Sequence, residues 1–183
     1  MGKISSKKEP EYIFKVVAVG AGGVGKTSLI RRFATDKFQE SYLMTLGVDF
    51  TTKEVYVKER DTITKIIVVD TAGQEYYSRL RPTYYSGANG CIICFDVTDK
   101  ASFDAIPEWL NEFRSHIDAV DNIAMTLVGN KTDLKNSRKI TKEEAEAYSK
   151  TLGLKYHETS AKNGRNVDAV FTYLASEILR LQT

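Results

Sequence analysis

The chain has 183 residues, of which 42% are hydrophobic and 27% are charged, and its formal net charge at pH 7 is +2. This length suits one domain with a full hydrophobic core, and no apolar run approaches the roughly 20 residues that span a bilayer. A net charge of +2 is also too small for the broad basic surface with which nucleic-acid-binding proteins neutralise phosphates. We therefore expect one domain, no transmembrane helix and no nucleic-acid partner.

Apolar segments rich in β-branched residues alternate with helical patterns along the chain. FKVVAVG precedes KTSLIRRFA, CIICFDV precedes SFDAIPEWLNEFRSHI, IAMTLVGN precedes EEAEAYSKTLG, and LKYHETS precedes VDAVFTYLASEILRL. Such alternation is typical of an α/β fold with helices on both faces of a mostly parallel sheet. In TTKEVYVKERDTITKIIVVD two strand patterns meet across a short polar turn, so one strand of the predicted six is antiparallel.

The two cysteines, Cys91 and Cys94, form a C-x-x-C pattern that in other contexts belongs to a redox pair or a zinc site. Here they lie in a predicted buried strand, where side chains three residues apart point to opposite faces. We therefore predict two core thiols in a reducing compartment. His116 and His157 have no metal-ligating neighbours in the sequence and are predicted to be surface residues.

The glycine-rich segment GAGGVGKTS lies between the first predicted strand and helix, and residues 20–27 match G-x-x-x-x-G-K-S/T. Backbone N–H groups of small residues can surround a phosphate, and the following helix N-terminus adds partial positive charge. An ordinary glycine-rich turn is the alternative, which this position in the chain disfavours. The predicted ligand is a nucleoside phosphate with Mg²⁺, bound by Gly22, Gly23, Val24, Gly25, Lys26, Thr27 and Ser28.

Two further motifs follow predicted strands of the same sheet. DTAGQE occupies residues 70–75 after KIIVV, and NKTD occupies residues 130–133 after IAMTLVG. Ligands of open α/β sheets bind at the carboxyl edge of the strands, where both motifs are expected. Asp70 is predicted to hold Mg²⁺ through water, and Thr27 to supply a hydroxyl to the same ion.

The four motifs GAGGVGKTS, DTAGQE, NKTD and ETSAK occur in this order, and residues 12–181 resemble the small GTPases of the Ras superfamily. The resemblance implies a P-loop NTPase fold and a guanine base, whose N1 and exocyclic amine donate to Asp133. It implies a pocket in which Asn130 braces the loop, Lys131 lies along the base plane, and the Ala161 backbone and Lys162 stem complete the site. The same comparison adds Ser160 to this pocket and Phe38 as an aromatic stacked on guanine, although Phe38 is alternatively an ordinary loop hydrophobe.

The resemblance also implies slow GTP hydrolysis that acts as a timer. Thr45 corresponds to a threonine that joins Mg²⁺ only when the γ-phosphate is present, Gly73 donates its N–H to that phosphate, and Gln74 orients the attacking water. The implied catalytic residues are thus Gln74, Lys26, Thr45 and Gly73, and the implied metal ligands are Thr27, Thr45 and Asp70. With no arginine finger assignable, we expect turnover far below roughly 1 s⁻¹ without an activating protein.

Two segments, residues 40–52 and 73–85, are predicted to change conformation with the bound nucleotide and to bind the exchange factor, activating protein and effectors. The protein itself is predicted to be a monomer. GVDF, YYSGA and FDVTD resemble Rab proteins. Val69 lies where Rab proteins usually have tryptophan, and SRLRP is more similar to Rho proteins. A Rho protein would have an extra helix between NKTD and TSAK, and this chain has no room for that helix. We predict a divergent Rab-like protein of membrane traffic or signalling.

Two other classes of protein remain as alternatives. An ATP-dependent P-loop kinase or ATPase would share residues 20–27, but it would lack NKTD and would need a lid or acceptor site. A nucleotide-locked interaction module without significant turnover is the second alternative. The presence of Gln74, Gly22 and Gly23 argues against this module.

The two ends of the chain differ from family habit in how they would reach a membrane. No cysteine follows Cys94, so C-terminal prenylation is not expected on the chain as given. The leader, residues 1–11, begins MGKISSKKEP and fits a myristoylation pattern with Gly2 and Ser6, followed by Lys7 and Lys8. The alternative is a disordered polar leader. We expect a cytoplasmic protein, with peripheral contact to membranes facing the cytosol if Gly2 is acylated.

Overall fold

The computed structural model describes residues 9–38, 45, 48–71 and 81–182. The strands are β1 (Tyr12–Val19), β2 (Val48–Val57), β3 (Thr62–Thr71), β4 (Gly90–Asp96), β5 (Ala124–Asn130) and β6 (Lys155–Glu158). The helices are α1 (Lys26–Thr35), α2 (Arg81–Tyr85), α3 (Lys100–Asp104), α4 (Ile106–Arg114), α5 (Lys142–Thr151) and α6 (Val167–Gln182). Short 3₁₀ turns occupy Lys58–Arg60, Val120–Asn122 and Lys135–Ser137.

The strands form one six-stranded sheet in the order β2-β3-β1-β4-β5-β6. β2 and β3 pair in antiparallel fashion because only the short Lys58–Arg60 turn and Asp61 join them. The other four strand pairs are parallel. This sheet confirms the predicted α/β fold with one antiparallel strand, and it places the carboxyl ends of β1, β3, β4, β5 and β6 on one edge.

Helices pack on both faces of the sheet and enclose two hydrophobic clusters. The first cluster lies under α1 and α6, where the rings of Phe33 and Phe171 stack with centroids 3.7 Å apart. The second lies under α3, α4 and α5 and includes Phe103 and Phe113. Burying such side chains supplies most of the free energy that holds the helices on the sheet.

The cysteines lie on opposite faces of β4, as predicted. Cys94 belongs to the cluster under α1 and α6, whereas Cys91 belongs to the cluster on the other face. Burial raises the pKa of the Cys91 thiol and raises the pKa of the Cys94 thiol to about 12. Both side chains are therefore protonated core thiols at neutral pH.

Two local features differ from the sequence-based predictions. The single helical pattern over SFDAIPEWLNEFRSHI is divided into α3 and α4, because Pro107 has no N–H to continue a helix and instead lies in the first turn of α4. The surface position predicted for His157 is wrong, since its ring is partly buried against Tyr173 with centroids 5.0 Å apart. Burial lowers the pKa of His157. His116 is exposed, as predicted.

None of the helices in the described part of the chain combines the length and the apolar character that crossing a bilayer requires. Helix α6, with 16 residues, buries one face in the core through residues such as Val170, Leu174 and Ile178.

Candidate functional site

The glycine-rich segment forms a tight loop between the end of β1 and the start of α1. Gly20 and Gly25 both have positive φ values, +139° and +95°. A Cβ atom on Gly20 would lie 2.1 Å from the carbonyl oxygen of Cys94, and one on Gly25 would lie 2.5 Å from Nδ2 of Asn130. Glycine is therefore required at both positions by backbone conformation and by space, and the loop packs directly on the ends of β4 and β5.

Lys26 is the first residue of α1, and its side chain is only 5% exposed. Its ammonium group donates hydrogen bonds to the carbonyl oxygens of Gly20 at 2.7 Å and Ala21 at 3.0 Å. The lysine thus folds back over the loop that precedes it. An anion bound in this loop would lie beside a largely desolvated positive charge, where electrostatic attraction is stronger than in water.

Two hydroxyl groups and one carboxylate converge next to this loop. Thr27 Oγ1 lies 2.7 Å from Thr45 Oγ1 and donates to Asp70 Oδ2 at 2.5 Å, while Thr45 Oγ1 lies 3.4 Å from the same carboxylate oxygen. Asp70 comes from β3, next to β1, and is 2% exposed. The three side chains belong to α1, to the segment before β2 and to β3.

The carboxylate of Asp70 is incompletely compensated within the part of the chain that the structure describes. Its Oδ1 atom is buried there without a hydrogen-bond partner, and burial raises the pKa of Asp70 although the hydrogen bond from Thr27 opposes the shift. Oxygen atoms of carboxylates and hydroxyls are the protein ligands that Mg²⁺ prefers. The donor set therefore fits a magnesium ion.

Asn130 lies at the end of β5 and is 1% exposed. Its Nδ2 donates to the carbonyl oxygen of Val24 at 3.1 Å, and its Oδ1 accepts from Thr159 Oγ1 at 3.1 Å and from the Ala161 N–H at 3.3 Å. One side-chain amide therefore connects the glycine-rich loop to the loop that follows β6. Buried amides with their hydrogen bonds satisfied fix the relative position of the groups they join.

The other residues of the NKTD motif lie beside Asn130. Asp133 Oδ1 accepts a 2.6 Å hydrogen bond from Ser160 Oγ. Lys131 has a left-handed backbone conformation with φ +65°, and its ammonium group lies 2.6 Å from Asp96 Oδ2. Asp96 was not among the predicted site residues, although its position at the end of the apolar strand pattern CIICFD was an available signal. In the sheet it lies beside Asn130 in register.

The structure thus brings together the glycine-rich loop, the magnesium-ligand candidates and the NKTD and ETSAK motifs at one edge of the sheet. Phe38 is partly buried three residues beyond α1, and its stacking on a base stays a prediction. Gly73 and Gln74 lie outside the described residues, as do Gly2, Ser6, Lys7 and Lys8. Of the two predicted partner segments, the structure describes residues 45, 48–52 and 81–85.

Comparison with known proteins identifies the family. Residues 15–180 match the family model described as Ras family. The chain is 43% identical over 171 residues to GTP-binding protein YPTM2 of Zea mays and to Ras-related protein RABD2a of Arabidopsis thaliana, which in each case covers 93% of this chain and 82% of the relative. It is 40% identical over 172 residues to Ras-related protein Rab-13 of Bos taurus, covering 94% of this chain and 83% of that protein.

The family match spans nearly the whole sheet, and the motifs of the site lie within the matched residues. The relatives with Rab names agree with the sequence features GVDF, YYSGA and FDVTD. This chain belongs to the Ras family and is a Rab-like small GTPase, a hydrolase of GTP.

Proposed function

We propose that this chain is a timed switch that binds GDP and GTP with Mg²⁺ and hydrolyses GTP slowly. Hydrolysis would change residues 40–52 and 73–85, the segments proposed to bind an exchange factor, an activating protein and effectors. The observation that supports this best is the position of Thr45. It is a residue of the first segment, and its hydroxyl lies 2.7 Å from the hydroxyl of Thr27 on α1.

Thr27, Thr45 and Asp70 are the residues proposed to hold the magnesium ion. The bound ion would neutralise negative charge on the β- and γ-phosphates. Asp70 Oδ2 already accepts from Thr27, so the buried Oδ1 is the atom left to coordinate the ion or to accept a hydrogen bond from its water. A Thr45 hydroxyl that joins this set only with GTP would tie residues 40–52 to the site in one nucleotide state and release them in the other.

The phosphate groups are proposed to lie against the backbone of residues 22–28. The N-terminus of α1 supplies partial positive charge, and Lys26 supplies a full charge that is already positioned by Gly20 and Ala21. Gly73 would donate its N–H to the γ-phosphate, and Gln74 would orient the attacking water. These two roles follow from the motif DTAGQE.

The guanine base is proposed to bind between NKTD and the loop after β6. Ser160 donates to Oδ1 of Asp133. A second lone pair on Oδ1, together with Oδ2, can accept the two hydrogen bonds from the base. The ion pair with Asp96 fixes Lys131 so that its aliphatic stem can lie along the base plane. The Ala161 backbone and the Lys162 stem would close the pocket, and Phe38 would stack on the remaining side.

We also propose the cellular setting from the Rab-like family membership. Residues 12–181 would form the GTP-binding domain of a cytosolic monomer in membrane traffic or signalling, preceded by the leader at residues 1–11. Acylation of Gly2 with adjacent Lys7 and Lys8 would add contact with anionic membranes facing the cytosol.

Gln74→Leu is expected to lower single-turnover GTP hydrolysis severalfold or more while leaving GTP binding nearly unchanged, since the glutamine acts on water and not on bound nucleotide. The rate is measured by product release from preloaded GTP with Mg²⁺ and again after chelation by EDTA. Gln182→Leu, at the end of α6, is the matched control. An unchanged rate in Gln74→Leu would show that another group positions the water, and hydrolysis that survives EDTA would remove Mg²⁺ from the proposal.

Residues 40–52 and 73–85 are expected to exchange backbone amide hydrogens at different rates with GDP and with a non-hydrolysable GTP analogue, because only the γ-phosphate state recruits Thr45 and Gly73. The measurement is hydrogen–deuterium exchange read by mass spectrometry. Peptides from α6 serve as the internal control, since this helix lies outside both segments and buries one face in the hydrophobic core. The same exchange in both segments for both nucleotides would contradict the switch.

A further inference from the structure

Arg32 lies in the last turn of α1 and donates hydrogen bonds to three backbone carbonyl groups. Its Nε donates to the carbonyl oxygen of Ala161 at 2.8 Å, Nη2 to that of Lys162 at 2.5 Å, and Nη1 to that of Asp36 at 2.5 Å. The guanidinium group therefore joins α1 to a loop 129 residues further along the chain. Its planar set of donors makes such simultaneous contacts geometrically specific.

Helix capping explains only one of these contacts. Asp36 is the C-cap of α1 with φ +55°, and its N–H donates to the Arg32 carbonyl, so an arginine beside this helix end stabilises it. The bonds to Ala161 and Lys162 contribute nothing to that cap, because both acceptors belong to the loop after β6. They act on the position of that loop.

The contacts of Arg32 reach two sides of the proposed base pocket. Ala161 and Lys162 form the wall contributed by the loop after β6, and the Ala161 N–H is also held by Asn130. Asp36 lies two residues before Phe38, the predicted stacking residue. Arg32 and Asn130 thus hold the Ala161 peptide from its carbonyl and its N–H, respectively.

We infer that Arg32 is a positioning residue for the guanine pocket: it orders the wall at Ala161 and Lys162, and the chain leading to Phe38, before nucleotide binds. The inference rests on the proposed function, in which these residues contact the base. A pocket ordered in advance loses less conformational entropy on binding, so it retains its ligand longer. Without Arg32 the carbonyl groups of Ala161 and Lys162 would lose these hydrogen bonds, and nucleotide would leave faster.

The test is the release of a fluorescent GDP analogue into excess GDP. Arg32→Ala is expected to release the analogue roughly tenfold faster than wild type. This is about the factor expected when one charge-assisted hydrogen bond that orders the pocket is lost. Arg32→Lys should fall between the two, because an ammonium group cannot reproduce the fork. Arg180→Ala removes a guanidinium that contacts Glu177 within α6 and serves as the matched control.

Two further readouts separate positioning from general loss of structure. The acceleration in Arg32→Ala should have the same factor with Mg²⁺ and with EDTA, since Arg32 has no described contact to Thr27, Thr45 or Asp70. Amide exchange should rise in residues 160–164 and stay unchanged in α6. The inference would be overturned if Arg32→Ala released the analogue no faster than Arg180→Ala, or if its acceleration vanished in EDTA. Faster amide exchange throughout the chain of Arg32→Ala would overturn it as well. Wild-type protein that retains no guanine nucleotide would instead overturn the proposed function, and the inference with it.

Discussion

Asp133→Asn is expected to shift the base preference of this protein from guanine toward xanthine. In the proposed complex the carboxylate accepts two hydrogen bonds from guanine, at N1 and at the exocyclic amine. Xanthine has a carbonyl group in place of that amine. An amide at position 133 can donate to this carbonyl, whereas it would set its own N–H group against the amine of guanine. With GDP, the substitution therefore places a donor opposite a donor where the wild type pairs an acceptor with a donor. With XDP, it pairs a donor with the carbonyl acceptor.

The hydrogen bond from Ser160 would fix the orientation of an asparagine side chain at position 133. Ser160 Oγ donates to Asp133 Oδ1, and the carbonyl oxygen of asparagine can accept the same hydrogen bond. This contact would keep the new oxygen at the Oδ1 position, where it can also accept from N1–H of the base, and would place the amide nitrogen at the Oδ2 position, facing the xanthine carbonyl. Sites built to hydrogen-bond a ligand discriminate strongly against analogues that leave those groups unpaired, so affinity for GDP should fall roughly 100-fold or more.

The measurement is competition binding of GDP, XDP and ADP to wild type and Asp133→Asn. Asp104→Asn is the matched control, since this exposed carboxylate forms a surface ion pair with Lys100 and lies on α3. Its preference should equal that of wild type. Equal wild-type affinity for GDP and ADP would remove the base assignment, and an Asp133→Asn protein that keeps its preference for GDP would show that another group recognises the base.

The parts of this structure that sequence predicted are those with a local or periodic signal. The β-rich runs and helical stripes define the six strands and the core helices, and the short turn at Lys58–Arg60 forces the antiparallel pairing of β2 with β3. The glycine-rich loop was predictable for the same reason. Its pattern lies between a strand and a helix, and its steric requirement at Gly20 and Gly25 is local.

The contacts that sequence missed join residues far apart in the chain. Lys131 with Asp96, and Arg32 with Ala161 and Lys162, have no shared periodicity or motif spacing, since each pair meets only because the sheet brings two loops to one edge. His157 was missed for a related reason. Alternation along the short strand β6 does not reveal that Tyr173 of α6 covers the histidine ring. Two missed features had a local signal, namely Pro107 within the helical pattern and the position of Asp96 at the end of an apolar strand pattern.

The network at the sheet edge also connects the two halves of the site. Asn130 donates to the carbonyl oxygen of Val24 in the glycine-rich loop and accepts from the Ala161 N–H in the loop after β6. Arg32 joins the loop after β6 to α1, the helix that begins with Lys26 and Thr27. Because both connections end on one residue, Ala161, displacement of either loop would disturb the other. In the proposed complex, recognition of the base and of the phosphates would therefore be structurally coupled.

Lys26→Met is expected to lower affinity for GDP and GTP roughly 100-fold or more, because it removes the full positive charge proposed to lie beside the β- and γ-phosphates. Methionine keeps most of the buried aliphatic volume, so the change isolates charge from packing. Lys26 is 5% exposed, and its ammonium group donates to the carbonyl oxygens of Gly20 and Ala21. The substitution removes the cost of burying a charge but leaves the carbonyl oxygens of Gly20 and Ala21 without this donor, and these two effects on folding oppose each other. The nucleotide-free protein should therefore unfold close to the wild-type temperature.

Thermal unfolding with and without GDP and Mg²⁺ separates these two effects. At a ligand concentration about 100 times the wild-type Kd, binding stabilises wild type by about 2.7 kcal/mol, whereas a 100-fold weaker variant would gain about 0.4 kcal/mol. Lys15→Met is the matched control, since the ammonium group of Lys15 also donates to a backbone carbonyl, that of Ser86, but from within β1 and outside residues 20–28. It should keep the full stabilisation by GDP. If Lys26→Met keeps it as well, the phosphates do not bind at this loop.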